Sequence, residues 1–153
     1  MTSTASITET IARQLVVFRL AAGTYGIELD AVREIIPYRG ATRLPGAPPH
    51  VAGLVNVRGA IVTVIDLGAL LEGSPSARER SSVMLVEHGA KVVGTAVDEV
   101  LDVRRVVDVE IDDNGTDMAV DAAVRAIGRL GGGKDGGVIT LLDIHDVISR
   151  VLA

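Results

Sequence analysis

The stretch YGIELDAVREII, Tyr25–Ile36, returns 68 positions later as VGTAVDEVLDVR, Val93–Arg104. Gly26 falls on Gly94, Leu29 on Val97 and Asp30 on Asp98. VTVIDLGALL, Val62–Leu71, returns 77 positions later as ITLLDIHDVI, Ile139–Ile148, with Asp66 on Asp143. The offset grows by nine, which puts an insertion in the acidic stretch Asp108–Asp121. A chain written twice in this way folds as two similar units rather than one irregular core.

The units read as strands. LVVFRL (Leu15–Leu20) is an apolar run followed by a Gly-marked hairpin signal, AAGTYG. GIELD alternates, and Asp30 is placed to cap one helical turn, AVRE. EIIPYRG reads as extended, and TRLPGAPPH as an ordered loop. VAGLVNV and AIVTVIDL are two further strands, LGALLEG one or two helical turns, and SPSARERS a polar linker. Strand, turn, strand, turn, strand then repeats from SVMLVEHG onward. About five short strands per half cannot leave open edges safely, so each half is expected to close into a small barrel. The expected fold is all-β: two five-stranded barrels packed side by side, with a C-terminal helical segment, DIHDVISRVL. The barrel subdomains are expected at roughly 15–73 and 82–153, intertwined, behind a disordered tail at 1–14.

Composition narrows the chemistry. Phe18, Tyr25 and Tyr38 are the only aromatics, so the core is Val, Ile, Leu and Ala, which suits pleated sheets. A net charge of −5 without basic runs argues against nucleic acid and against an anionic membrane surface. No cysteine is present, which removes disulfides and thiolate chemistry and fits a cytoplasmic protein. No apolar stretch is long enough to insert in a membrane, and the Ser/Thr-rich N-terminus does not read as a secretory signal.

The chemical motifs are weak. GRLGGGKD (Gly128–Asp135) has the spacing of a phosphate loop, but Asp135 stands where a magnesium-binding hydroxyl belongs. EIDDNGTDMAVD (Glu110–Asp121) has partial calcium-loop spacing, with Glu110 and Asp121 both departing from the usual end ligands. His50, His88 and His145 are scattered without metal-ligand spacing. Serines cluster in the linker and tail with no base placed to activate them. No catalytic residue, metal site or cofactor is expected, and a binding module is the better class.

One cation remains to be explained. In GLVNVRGAIVTVIDL, Arg58 sits at a bend between two apolar strands. Gly59 allows positive φ there and Asn56 can bond the local backbone. Arg58 is either a turn residue, solvated or paired with Asp66 or Glu34, or an interface arginine of the kind enriched in binding hot spots. Val32 and Ile35, three apart, would share one face of a helical turn beside Glu34, with Val32 the better candidate for exposure.

Taken in order, YGIELDAVREII, the Pro-rich loop, GLVNVRGAIVTVIDL, VVGTAVDEVLDV and LLDI resemble the CheW family of chemotaxis coupling proteins, from about Leu15 to Leu152. The Asn56-Val57-Arg58-Gly59 turn is the most specific element, followed by Val97–Val100. The resemblance implies SH3-like barrels. It also implies a non-enzymatic adaptor that couples the tips of methyl-accepting chemotaxis receptors to the regulatory domain of the histidine kinase CheA, in cytoplasmic receptor arrays. Carried over by position, the partner-binding residues are Val32, Glu34, Ile35, Asn56, Arg58 and Gly59. The alternatives are a CheW-like scaffold of a non-flagellar chemosensory system, and a small-molecule or calcium-binding β-barrel.

Overall fold

The computed structural model describes residues 12–75, 81–107, 111–112, 126–130 and 138–152. The strands are β1 (Ala12–Leu20), β2 (Gly23–Glu28), β3 (Val32–Pro37), β4 (Val51–Val57), β5 (Ala60–Asp66), β6 (Ser82–His88), β7 (Lys91–Val97), β8 (Glu99–Val107), β9 (Ile111–Asp112), β10 (Ala126–Leu130) and β11 (Ile139–Leu142). A 3-10 turn at Leu29–Ala31, a π-helical segment at Gly68–Glu72 and the helix α1 (Ile144–Leu152) complete them. β1 begins at Ala12, three residues inside the stretch expected to be a tail. Most of Asp108–Asp121 lies outside the described residues, and so does Gly131–Asp135 of the phosphate-loop-like stretch, whose first three positions are strand.

The fold is all-β, with two sheets curled as SH3-like barrels. The first sheet runs β8-β1-β2-β11-β10-β9 and the second β3-β6-β7-β5-β4. Apart from the two-residue β9, the orders are images of one another under the sequence repeat: β1, β2 and β3 return as β6, β7 and β8, and β4 and β5 as β10 and β11. Register follows the repeat. Val17 pairs with Gly26 as Leu85 pairs with Gly94. The parallel contact of Gly26 with Leu141 has its counterpart in Gly94 with Val64. The bulge at Arg33 of β3, between Val32 and Glu34, recurs at the equivalent place in β8, where Leu101 is passed over between Val100 and Asp102 as they pair with Phe18 and Val17.

Each sheet draws on both halves of the chain. The β1–β2 hairpin joins β8, β10 and β11, while β3, β4 and β5 join the β6–β7 hairpin. The short turn at Leu29–Ala31 sends β3 away from β2 and onto β6 instead of folding it back as a hairpin. The second sheet closes on itself: Thr42, beyond the end of β3, bridges Leu54 of β4 through two backbone hydrogen bonds of 2.8 Å.

The continuous apolar runs follow from this arrangement, because a strand buried on both faces need not alternate. Leu15 and Val17 point into a cluster with Val106, Ile139 and Leu141 inside the first barrel. Val16, Phe18 and Leu20 point the other way, into a core shared with Ile65, Met84, Val86 and the α1 residues Ile144, Val147 and Ile148. β6 repeats the pattern, with Val83 and Leu85 inside the second barrel and Met84 and Val86 in the shared core. The repeated aspartates are caps. Asp66 accepts the Ala69 N–H at 3.1 Å, and Asp143 accepts the Asp146 N–H at 3.2 Å.

Candidate functional site: the Arg58 hairpin and its flanking groove

β4 and β5 are joined by two residues, Arg58 and Gly59, with Val57 paired to Ala60. Both turn residues have positive φ, 51° and 89°, which is the type I′ geometry whose twist matches a β-hairpin. The Asn56 side-chain oxygen accepts the Gly59 N–H at 2.8 Å and holds the turn. Gly59 fits its position without strain. Arg58 does not: a side chain in the left-handed region costs about 1–2 kcal/mol, and Asn, Asp or Gly is the usual occupant. The backbone therefore gives no reason for an arginine here.

Its partner supplies one. The Arg58 guanidinium donates to the Glu34 carboxylate, which reaches it from β3. Of the two acidic partners considered from sequence, Asp66 is buried and occupied as a cap. The hydrogen bond from Arg58 is the main cause that holds the Glu34 carboxyl below the usual range, with the Arg58 and Arg33 charges adding to it. The same bond raises the Arg58 guanidinium further. The pair stays at the surface, with side chains 69% and 34% exposed for Arg58 and Glu34. Its contribution to stability is correspondingly small.

The lowered carboxyl gives a pH prediction. Glu34 binds its proton less readily folded than unfolded, so the stabilisation is complete above the ordinary value of 4.5 and is lost as pH falls through the lowered one. In an NMR titration, the Glu34 carboxyl should move back up toward 4.5 in Arg58→Gly. An unchanged midpoint would mean that the pair is absent in solution.

β3 corrects the expected placement of its apolar residues. The helical turn ends at Ala31, and Val32 already opens the strand, so Val32 and Ile35 do not share a helix face. Burial alternates along β3: Val32, Glu34 and Ile36 are half-buried, and Arg33, Ile35 and Pro37 exposed. Val32 packs against the shared core, while Ile35 is 39% exposed. The expectation that Val32 is the exposed one is thus reversed, because a strand presents alternate residues to opposite faces.

Beside the hairpin lies an open groove of about 680 Å³ between the segment after β3 and β4. Ile36, Tyr38, Ala41, Leu54 and Val55 line it, and Asn56 belongs to both groove and turn. Sequence reasoning missed this wall. The available signal was Pro37 and Gly40 bracketing Tyr38, which end β3 and swing the chain outward. Of the six residues expected at a site, the structure brings Glu34, Asn56, Arg58 and Gly59 together, leaves Ile35 exposed next to Glu34, and turns Val32 to the core.

A profile of the CheW-like domain matches residues 14–152, nearly the whole described fold. The chain belongs to the CheW-like family. It is 35% identical over 97 residues to a probable chemotaxis protein CheW of Rhizobium etli, a match covering 63% of each chain, just under two thirds of that relative's length. It is 33% identical over 137 residues to the chemotaxis protein CheW of Rhizobium meliloti, covering 88% of this chain and 86% of the relative. The crystal structure of the scaffolding protein TtCheW from Thermoanaerobacter tengcongensis superposes with a TM-score of 0.78 at 25% identity, covering 90% of this chain and 88% of that one. Among the described residues no helix is long and apolar enough to cross a membrane.

Proposed function

We propose that this CheW-like protein is a non-enzymatic adaptor that couples the cytoplasmic tips of methyl-accepting chemotaxis receptors to the regulatory domain of the histidine kinase CheA, in cytoplasmic arrays. The observation that carries the reading is an arginine held at a turn position the backbone disfavours, with its guanidinium exposed beside an open groove of mixed polar and apolar lining. Arginine presents five fixed donors and is enriched in binding hot spots, and a groove that offers apolar positions together with polar ones suits an amphipathic helix. Val32, Glu34, Ile35, Asn56, Arg58 and Gly59 are the proposed partner-binding residues. Their roles differ: Arg58 and Ile35 contact the partner, Glu34, Asn56 and Gly59 set the guanidinium's position, and Val32 supports β3 from the core side. Contacts that are individually modest are strengthened when receptor and kinase are held in one array.

A binding titration against the CheA regulatory domain, followed by a receptor-tip fragment, tests the reading. Arg58→Gly is the variant of choice because glycine fits the left-handed turn, so the fold is kept while the side chain is removed. The expected result is a wild-type or slightly raised Tm, with binding to one partner weakened about 30-fold, the size of a hot-spot loss near 2 kcal/mol. Unchanged binding of both partners would remove Arg58 from the interface. Failure of the wild-type chain to bind either would overturn the adaptor assignment.

A further inference from the structure

His88 and His145 lie 57 residues apart in sequence, and the fold brings them together at the seam between β6 and α1. Their Nδ1 atoms are 3.4 Å apart, and the rings are nearly parallel with centroids 5.6 Å apart. We propose that this pair is a two-histidine clip for a divalent transition ion of the zinc, nickel or copper type, fastening the C-terminal helix to the second sheet.

Three features support the proposal. The first is the spacing. Two imidazole nitrogens at about 2.0–2.1 Å from a tetrahedral ion stand about 3.3 Å from each other, which matches the observed separation. The second is the partner of the other ring nitrogen. Ser149, one turn after His145 on α1, places its hydroxyl 3.4 Å from His88 Nε2. With Nε2–H donating to the serine oxygen, His88 Nδ1 is left unprotonated as a ligand, and a metal-bound histidine commonly has its second nitrogen held this way. The third is the surrounding charge. His145 also lines a cavity of about 300 Å³ with Glu28, Asp30 and Asp143; Arg13 pairs with Glu28 at 3.6 Å, and Asp30 and Asp143 keep the lining net acidic, a potential that favours a cation. Lys91, opposite His88 in the β6–β7 hairpin, is exposed and opposes that potential. Among the described residues no third His, Cys, Asp or Glu joins the pair, so solvent water completes the coordination. His88 is half-buried and His145 exposed, which leaves room for that water.

The test is a thermal-unfolding and calorimetric titration of the full chain, free of any histidine tag, with ZnCl₂, NiCl₂ or CuCl₂, and with MgCl₂ and CaCl₂ for comparison. At a free concentration about 100-fold above Kd, the transition ions should raise Tm by about 5 °C or more, while magnesium and calcium leave it unmoved. His88→Gln and His145→Gln should each abolish the shift, His50→Gln should not, and Ser149→Ala should weaken binding several-fold. The copper complex should show two coordinated nitrogens by electron paramagnetic resonance. A Tm shift that survives both His88→Gln and His145→Gln, or the absence of any shift in the wild-type chain, overturns the proposal.

Discussion

Gly53→Ala should destabilise the protein by about 4 kcal/mol, lowering Tm by roughly 10 °C. Gly53 has φ of 139°, a backbone conformation that side-chain-bearing residues rarely adopt. An added Cβ would lie 2.1 Å from the Thr42 carbonyl oxygen and 3.0 Å from the Arg43 Cα. The obstacle is backbone, and Thr42 is tied to Leu54 by two hydrogen bonds of 2.8 Å, so neither side can give way without opening the bridge. That bridge closes the second sheet and forms one end of the groove. Gly46→Ala is the control. Its φ is also positive, at 79°, but nothing lies within 4 Å of the added carbon, so it should cost only about 1 kcal/mol. Equal losses for the two variants, measured by denaturant unfolding, would show that the Thr42–Leu54 closure does not hold in solution.

Reversing the charges of the Glu34–Arg58 pair should separate its internal role from its external one. Glu34→Arg alone places two guanidinium groups against each other and should weaken partner binding about 30-fold or more, while Tm changes little because both groups are exposed. Arg58→Glu should act the same way with two carboxylates. The double variant restores an ion pair of opposite sense. If Arg58 itself contacts the partner, the double variant keeps its Tm but does not regain its binding. Recovery of binding would instead make the pair a positioning device for β3, with the partner recognising the groove.

Much of this was legible because it depends on local chemistry. Asn56 and Gly59 announced a tight hairpin turn, since one offers an acceptor for the turn N–H and the other tolerates positive φ. The oddity of an arginine between them was visible in the same four letters. Glu34 was named as one of two acidic partners, and the burial of Asp66 decides between them. The misreading at Val32 and Ile35 has an equally local cause. Asp30 followed by AVRE has the look of a capped helical turn, and only the pairing of β3 with β6 shows that Val32 has already entered a strand. The approach of His88 to His145 had no sequence signal, because metal-ligand spacing is a property of one element and these residues lie on two.

The division between chain and fold is clearest in the duplication. The sequence by itself determined that two similar units exist, where their strands and glycine turns fall, and that Asp66 and Asp143 do the same job. Those are properties of short segments: side-chain period, turn chemistry and capping. Which strands sit in which sheet was decided only by tertiary structure. A strand's apolar pattern specifies that a face is buried, but not against which partner. The exchange of hairpins between the two halves arises because the turn at Leu29–Ala31 carries β3 to β6, which lets Leu15 and Val17 fill one barrel while Val16 and Phe18 fill the core between the two.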